Sequence, residues 1–551
     1  MGFFIFMNKF KNYFYSKKES WWFISFSIFL SSGILIEPQL LAAAIQKNDL
    51  SEMWLYWSGL IGVGFSIPFF AHLWGKIPIK TENELILFRF SGKGAKILHG
   101  FRSLYLGGLI IPFLIAFHIL AFSKIIVLYT SNSKESVITL LLILLIIGTF
   151  FNKFYLRIKI DFYLLIVFIL FFLALTILII YNSHGISNFL NTINATAKSL
   201  TIIPKTNTVS FTNFLVFICV QWWSASILDY PDMNGQKLLA SKSMRDITKT
   251  ILVPSLVLIV FKIVLLSFTF LVINNTLSNT VASEFAFANV FLTSLPNWAL
   301  PLVLVFFGIS FLAIVQNHQN WSGSLLAENF YKTYINSKIS AKKSNRIGIY
   351  CMLYVIALAG IIAFYSNSIM YMVKLLFTIT AGVGPVFILR WYWWRINAWS
   401  QLSAMVSAML MPLAYDLLFE NNSWFFKMII ALENGFKIDQ YPIKIIFLTL
   451  FVSLIWITIT FLTKPTEQSK VKSFAETVQP GGYWKDIKNS GKLHLTKRLF
   501  IWVLLASNSL ITIAVLWNFV QLQFFICACL LAVYVLFFFV SYKMLNRINN
   551  S

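Results

Sequence analysis

Two acidic residues stand beside prolines inside long apolar runs, where charge is rare. Glu37 precedes Pro38 in FLSSGILIEPQLLAAAI, and Asp229 lies two residues before Pro231 in QWWSASILDYPDMNGQ. A proline removes a backbone hydrogen-bond donor and its ring clashes with the preceding turn, so each helical run should be interrupted there. The carbonyls freed at such a break, together with a carboxylate, can bind a cation, a proton or a polar solute. The alternative is a pair of ordinary proline kinks that bind nothing.

Further polar side chains accompany these two points. The candidate solute-binding residues are Glu37, Trp222, Trp223, Ser226, Asp229 and Asn317. Asn317 shares one helical face with Ser310 and Ser324, and a polar stripe of this kind either lines a cavity or bonds to neighbouring helices. Lys262 lies deep in an apolar run, where an ammonium pairs with a carboxylate or extends to the interface. Glu37, Asp229 and Lys262 are therefore the candidates for coupling transport to a proton.

The composition places these residues in a membrane. Of 551 residues, 58% are hydrophobic and 17% are aromatic, and the mean hydropathy is +0.76. The formal charge of +24 would favour nucleic-acid binding in a soluble protein, but basic loops on one side of a membrane account for it here. The four cysteines show no metal spacing, and the sequence contains no hydrolase, kinase or redox signature. We therefore predict neither an enzyme nor a cofactor.

About fourteen apolar segments are long enough to cross a bilayer, which predicts an all-α polytopic membrane protein. They are 21–45, 53–75, 104–130, 135–152, 161–181, 209–230, 247–273, 297–327, 346–365, 368–390, 396–419, 442–463, 499–520 and 523–542. The interruptions fall in the first and sixth segments, which begin two consecutive groups of five. This correspondence is typical of an inverted-repeat transporter with its site at the two breaks.

The predicted organisation follows from these spans. It comprises a short basic N-terminus (1–20), a first five-helix repeat (21–181), a second five-helix repeat (209–390), peripheral helices eleven and twelve (391–463), a basic loop (464–498), and peripheral helices thirteen and fourteen with a tail (499–551). If the N-terminus is cytoplasmic, 34 of the 44 lysine and arginine residues fall in cytoplasmic segments. This alternation predicts cytoplasmic N- and C-termini in the inner membrane of the cell.

The stretch RWYWWRINAWSQ, residues 390–401, joins two arginines to five aromatic residues. Arginine among aromatic rings can stack on nucleic-acid bases, but it can also mark the headgroup level of a membrane. Arg390 and Arg395 follow the tenth span, so we expect an interfacial aromatic belt in which both guanidinium groups reach lipid phosphates.

Several stretches resemble the sodium:solute symporter family, in particular members typical of the Bacteroidetes. They are TENELILFRFSGKGAKILHGFRSLYLG (81–107), VQWWSASILD (220–229), QKLLASK (236–242), HQNWSGSLLAENFY (318–331), GVGPVFILRWYWWRINAWSQLSAM (382–405) and ETVQPGGYW (476–484). The resemblance implies a leucine-transporter-type fold with a core of two inverted five-helix repeats. It also implies sodium-driven uptake of a small organic solute, bound between broken helices one and six.

The resemblance also implies a sodium site, from which this sequence departs. The corresponding positions are the carbonyls of Leu30, Gly33 and Ser310 and the side chains at 313 and 314. The family has two hydroxyl residues at the last two positions, whereas this chain has Ala313 and Ile314. A hard cation requires oxygen ligands, and these two side chains supply none. The family's carboxylate at the first break is displaced as well, from Ile36 to the neighbouring Glu37.

These observations predict a secondary active transporter that moves a small organic solute by alternating access, with a degraded sodium site. Two alternatives remain open. One is a proton-coupled or uncoupled carrier; the other is a transport-inactive membrane scaffold or sensor derived from a transporter. The expected partners are a small-molecule solute and the lipid bilayer, with no nucleic acid and no protein partner.

Overall fold

The structure is a computed structural model of the chain. It describes residues 19–30, 37–46, 50–197, 201–224, 233–241, 249–250, 287, 289, 295–485, 487 and 491–550. Within these ranges every extended regular element is a helix, and only two isolated β-bridges occur. The prediction of an all-α membrane protein is therefore confirmed.

We number the described helical segments in chain order. They are α1 (Trp21–Leu30), α2 (Glu37–Gln46), α3 (Leu50–Trp74), α4 (Glu84–Arg89), α5 (Gly92–Thr130), α6 (Lys134–Thr149), α7 (Phe154–Asn182), α8 (Ile186–Ala197), α9 (Val209–Cys219), α10 (Met233–Leu238), α11 (Asn297–Ile335), α12 (Ala341–Tyr365), α13 (Ile369–Thr380), α14 (Gly384–Tyr392), α15 (Ala398–Asn421), α16 (Ser423–Phe436), α17 (Gln440–Leu462), α18 (Gln468–Val478), α19 (Leu495–Val520) and α20 (Phe524–Asn550).

Among the described residues, nine helices are long and apolar enough to cross a membrane, and the pair α13 and α14 makes a tenth. The count of fourteen is not confirmed, because the predicted span 247–273 lies almost entirely outside the described residues and α6 is short. The predicted tenth span, 368–390, is bent by 41° between α13 and α14. Gly382 and Pro385 lie at this bend, where a proline ring and a missing side chain both weaken a continuous helix.

Local sequence accounts for the ends of several helices. Asn397 caps α15 by accepting hydrogen bonds from the backbone amides of Trp399 (2.9 Å) and Ser400 (3.1 Å), and Ser400 bonds back to the Asn397 amide. This reciprocal capping satisfies amides that have no partner within the helix. Ser340 caps α12 with a single hydrogen bond, which its side chain accepts from the Lys343 backbone amide.

Three segments predicted as polar connections contain helix. The stretch 76–103 contains α4 and the first turns of α5, the basic loop 464–498 contains α18, and the predicted tail belongs to α20, which extends to Asn550. These segments are rich in charged and polar residues, so a prediction based on mean hydropathy assigns them to loops, although each also has buried apolar side chains, such as Leu85, Leu98 and Phe474.

The main core is one continuous cluster of buried apolar side chains. It includes side chains from α1, α2, α3, α5, α6, α7, α11, α12 and α13. Within it, α1 packs against α7, and α5 packs against both α11 and α12. The last two helices, α19 and α20, pack against each other, and α19 contacts α3. The helices that carry the candidate site therefore lie together in the largest core of the described structure.

Three long helices contain wider π-helical turns, which cover Ile67–Ala71 in α3, Leu106–Ile110 in α5 and Ser324–Ile335 in α11. The turns in α5 and α11 contact each other, because a Cβ atom built on Gly107 would lie 3.0 Å from Leu326 Cγ. The Ser322 hydroxyl donates to the Gly107 carbonyl at 2.6 Å, so a group from the neighbouring helix satisfies an acceptor within the turn of α5.

The predicted aromatic belt at 390–401 is wrong for Arg390 and Trp391, the first two residues of that stretch. Arg390 and Trp391 are both buried, and Arg390 donates to Gln401 Oε1 at 3.2 Å. Arg89 donates to the Arg390 carbonyl at 2.9 Å, and its burial, with the neighbouring Arg390 charge, lowers the pKa of its guanidinium. The chain turns back after α14, and Phe474 of α18 packs 6.0 Å from Trp391. The helix α18 thus separates Arg390 and Trp391 from lipid, which composition alone does not reveal.

Candidate solute and ion site

The positions that correspond to a sodium site lie in the main core. Leu30 ends α1, while Ser310, Ala313 and Ile314 lie on α11, and these two helices are in contact. Ala313 and Ile314 are 0% and 4% exposed and belong to the same apolar cluster as Leu30. Gly33, the remaining position, lies outside the described residues. The side chains of Leu30, Ala313 and Ile314 are hydrocarbon, so the oxygens that these three residues can offer are backbone carbonyls, and Ser310 adds the one side-chain hydroxyl among the described positions.

Asn317 is buried one turn beyond Ala313, and it bonds to a neighbouring helix. Its Nδ2 donates to the Ala313 carbonyl at 2.7 Å and to Asp161 Oδ2 of α7 at 3.0 Å. Ser310 and Ser324 are also buried. Of the two interpretations of the polar stripe, bonding to neighbouring helices describes Asn317.

Glu37 begins α2 and is 7% exposed. Trp57 of α3 donates from its indole Nε1 to Glu37 Oε1 at 3.1 Å. Nearby, Gln39 donates to the Ala121 carbonyl at 3.3 Å, which ties α2 to α5. A carboxylate in this position is shielded from water and held by a neutral donor.

One of the two candidate tryptophans, Trp223, adjoins the bend between α13 and α14. Trp223 Nε1 donates to the Ala381 carbonyl at 2.7 Å, and Thr380 Oγ1 donates to the Ser224 carbonyl at 3.0 Å. Trp222 packs with ring centroids 5.5 Å from Phe65 and 5.4 Å from Trp502. Trp223 therefore satisfies an acceptor at the bend of the tenth span, while Trp222 contacts α3 and α19.

Four predicted site residues, Gly33, Ser226, Asp229 and Lys262, lie outside the described residues. So do residues 33–36 at the first predicted break and residues 226–231 at the second.

A buried ionic cluster beside Asn317 was missed by the sequence prediction. Asp161 and Arg157 lie four residues apart on α7, and their side chains are 0% and 4% exposed. Arg157 Nε donates to Asp161 Oδ1 at 2.5 Å, and its Nη2 forms an ion pair with the same oxygen. Asp161 Oδ2 accepts from Ser27 Oγ of α1 at 2.5 Å and from Asn317. One carboxylate thus joins α1, α7 and α11.

Hydrogen bonds extend this cluster on both sides. The Arg157 guanidinium also donates to Gln316 Oε1, and Asn152 Nδ2 donates to the Gln316 carbonyl at 2.6 Å. On the side of α1, the buried Lys237 ammonium donates to the Ser27 carbonyl at 3.1 Å. The sequence did carry a signal, namely the cation and anion four residues apart in RIKID at the start of an apolar run.

Comparison with known proteins shows to which family the chain belongs. The family model described as "Sodium:solute symporter family" matches residues 16–408. The chain belongs to this family. The family and the apolar helices make it a multi-pass membrane protein and a transporter of small solutes rather than an enzyme. No curated protein matches the chain significantly.

A solved structure shows which fold this family member has. The chain is similar to a sodium-coupled sialic acid symporter, solved in a substrate-bound, outward-open state that reveals a novel sodium site. The match has a TM-score of 0.61 and 16% sequence identity, and it covers 84% of this chain and 95% of the symporter. At this identity the match establishes the fold, which is of the leucine-transporter type.

Among the described residues, no group of three or more histidine, cysteine, aspartate or glutamate side chains could hold a metal ion. The buried ionic groups described above instead occur as a single carboxylate with fixed cations around it. Such an arrangement can hold helices in register and can compensate charge within the core.

Proposed function

We propose that this protein is a secondary transporter that moves a small organic solute by alternating access between two five-helix repeats (21–181 and 209–390), without coupling to sodium. One observation carries the proposal. Ala313 and Ile314, where the family has two hydroxyl residues, are buried in the same apolar cluster as Leu30. A sodium ion there would lose its water and gain too few oxygens to compensate, since desolvating an ion without new ligands is costly.

The test is solute uptake into proteoliposomes. The panel includes sugars, carboxylates and amino acids, together with sialic acid because the similar symporter is named for it. We expect uptake to be unchanged when sodium is replaced by potassium or choline. Uptake that rises steeply with sodium would refute the proposal. Failure of a folded protein to transport any solute would favour a scaffold or sensor instead.

A gain-of-function variant tests the same reasoning in the opposite direction. The double substitution Ala313→Ser with Ile314→Thr restores two hydroxyl oxygens and should make uptake depend on sodium. The control is Ala299→Ser with Ile309→Thr, which makes the same chemical changes at two buried positions of the same helix. Sodium dependence in both double variants, or in neither, would contradict the assignment of the site.

Proton coupling is a second candidate, and the burial of Glu37 favours it. Its carboxylate is 7% exposed and accepts a hydrogen bond from the Trp57 indole. If a proton is the coupling ion, Glu37→Gln should abolish the pH dependence of net uptake and leave solute exchange intact. Glu52→Gln, a carboxylate on α3, serves as the control. A pH profile unchanged by Glu37→Gln would exclude this role.

We further propose that the protein lies in the inner membrane with both termini in the cytoplasm, as the distribution of basic residues indicates.

A further inference from the structure

The ion pair between Arg157 and Asp161 is enclosed by three helices. Asp161 Oδ2 is contacted by Ser27 of α1 and by Asn317 of α11, while Oδ1 is contacted by the guanidinium. The other end of the guanidinium reaches Gln316 Oε1 of α11. One cation therefore bridges a carboxylate oxygen of one helix and an amide oxygen of another.

The oxygens around the guanidinium are those that bind hard cations. Carboxylate and side-chain amide oxygens are preferred ligands of such ions, and the Ser27 hydroxyl lies beside the same carboxylate. A buried carboxylate needs a cation close by, because an isolated charge in a low-dielectric core is strongly unfavourable. Here the chain itself supplies that cation from one turn earlier on the same helix.

The packing around this place keeps the amide oxygen close to the guanidinium. A Cβ atom built on Gly148 of α6 would lie 2.6 Å from Gln316 Nε2, so the glycine leaves room for the amide group. Asn152 holds the backbone of Gln316 through its carbonyl at 2.6 Å. The Gln316 oxygen is therefore directed towards α7 by contacts that do not depend on Arg157.

We propose that the Arg157 guanidinium is a tethered cation that occupies a monovalent-cation site formed by Asp161, Gln316 and Ser27. The site accepts sodium only when the guanidinium is removed. This inference deepens the proposed function, because the role of this site in transport depends on transport being independent of sodium. The guanidinium compensates the Asp161 charge throughout the transport cycle, so no ion from solution is required at this carboxylate.

The experiment compares Arg157→Ala with the wild-type protein in detergent, using sodium chloride and choline chloride at equal ionic strength. We expect sodium to raise the unfolding temperature of Arg157→Ala by several degrees with saturation, since a ligand that binds only the folded state stabilises it. We also expect this variant to bind ²²Na stoichiometrically. The wild-type protein should show neither effect. Arg157→Ala with Asp161→Asn should lose both, because the carboxylate is then neutral.

Lys472→Gln is the control for general salt effects, since it removes a cation from an exposed pair of the same spacing. An Arg157→Ala variant without a response specific to sodium would overturn the inference. So would a variant that unfolds in both salts while the double variant folds, because sodium then cannot replace the guanidinium. Saturable ²²Na binding by the wild-type protein that Asp161→Asn removes would also overturn it. Binding and stability are measured without transport, so this inference can fail separately from the proposed function.

Discussion

The buried pair on α7 and an exposed pair on α18 provide a matched measurement of what burial does to an ion pair. Arg157 and Asp161 are four residues apart, with the cation first, and are 4% and 0% exposed. Lys472 and Glu476 have the same spacing and order but are 63% and 41% exposed. Removing one partner from a buried pair costs about 3–5 kcal/mol, because the other charge remains in the core without compensation. An exposed pair contributes roughly 0.5 kcal/mol or less.

The expected values for a double-mutant cycle follow from the contacts. Arg157→Gln and Asp161→Asn should each cost about 3–5 kcal/mol in choline chloride. The double variant keeps neutral acceptors for Ser27 and Asn317, so it should cost only about 1–2 kcal/mol, as for one or two hydrogen bonds. The coupling energy should therefore reach at least about 4 kcal/mol. For Lys472→Gln with Glu476→Gln it should be close to zero.

Equilibrium unfolding by SDS in mixed micelles, followed by the helical circular dichroism signal, gives these free energies. If the two single substitutions on α7 each cost under about 1 kcal/mol, or if their effects are additive, the pair is not the compensated buried charge described above.

Three further expectations concern the helix bend and the topology. Gly382→Ala should destabilise the protein by about 1–3 kcal/mol, because the new Cβ atom would lie 2.3 Å from Val452 Cβ; Gly435→Ala, with nothing within 4 Å, is the control, and equal stability of the two variants would contradict this. Trp223→Phe removes the shorter of two hydrogen bonds to the Ala381 carbonyl, to which Thr449 Oγ1 also donates at 3.3 Å, and should cost about 1 kcal/mol in the same unfolding assay, whereas an unchanged midpoint would show that the Thr449 hydroxyl is a sufficient donor. Topology reporters fused at residues 190 and 480 should respond as external and cytoplasmic respectively; the same response at both positions would exclude the proposed orientation.

Hydrophobic runs predicted the helices because membrane spans must be apolar over most of their length. The prediction for α7 began at residue 161, whereas the helix begins at Phe154. Arg157, Lys159 and Asp161 lower the local hydropathy, so this turn resembled a basic loop. Two of these charges compensate each other, which only the fold makes visible. The spacing in RIKID was a sufficient signal for a pair, but not for its burial between α1 and α11.

The sequence likewise predicted some features of the candidate site and missed others. Ala313 and Ile314 could be identified because they correspond to the two hydroxyl residues of the family's sodium site. The structure adds that they are enclosed by the core. The contacts of Trp223 could not be predicted, since the Ala381 carbonyl can accept from it only because the tenth span bends at 381–383. The sequence ITAGVGP carried a signal for that bend in its two glycines and proline, and the predicted continuous span overlooked it. Burial of Arg390 and Trp391 depends on α18, which lies some eighty residues later in the chain.

The wide turn at Leu106–Ile110 affects how α5 tolerates insertions and deletions during evolution. A π-helical turn contains one residue more than the α-helical turn it replaces. Deleting one residue there yields a regular α-helix, and the residues on either side keep the faces they present to α11 and α12. The same deletion elsewhere in α5 rotates everything beyond it by about 100° and turns buried side chains towards lipid. Single-residue length differences among homologues should therefore concentrate at this turn, and an alignment that places the gap a few residues away will assign the wrong face to the residues between the two positions.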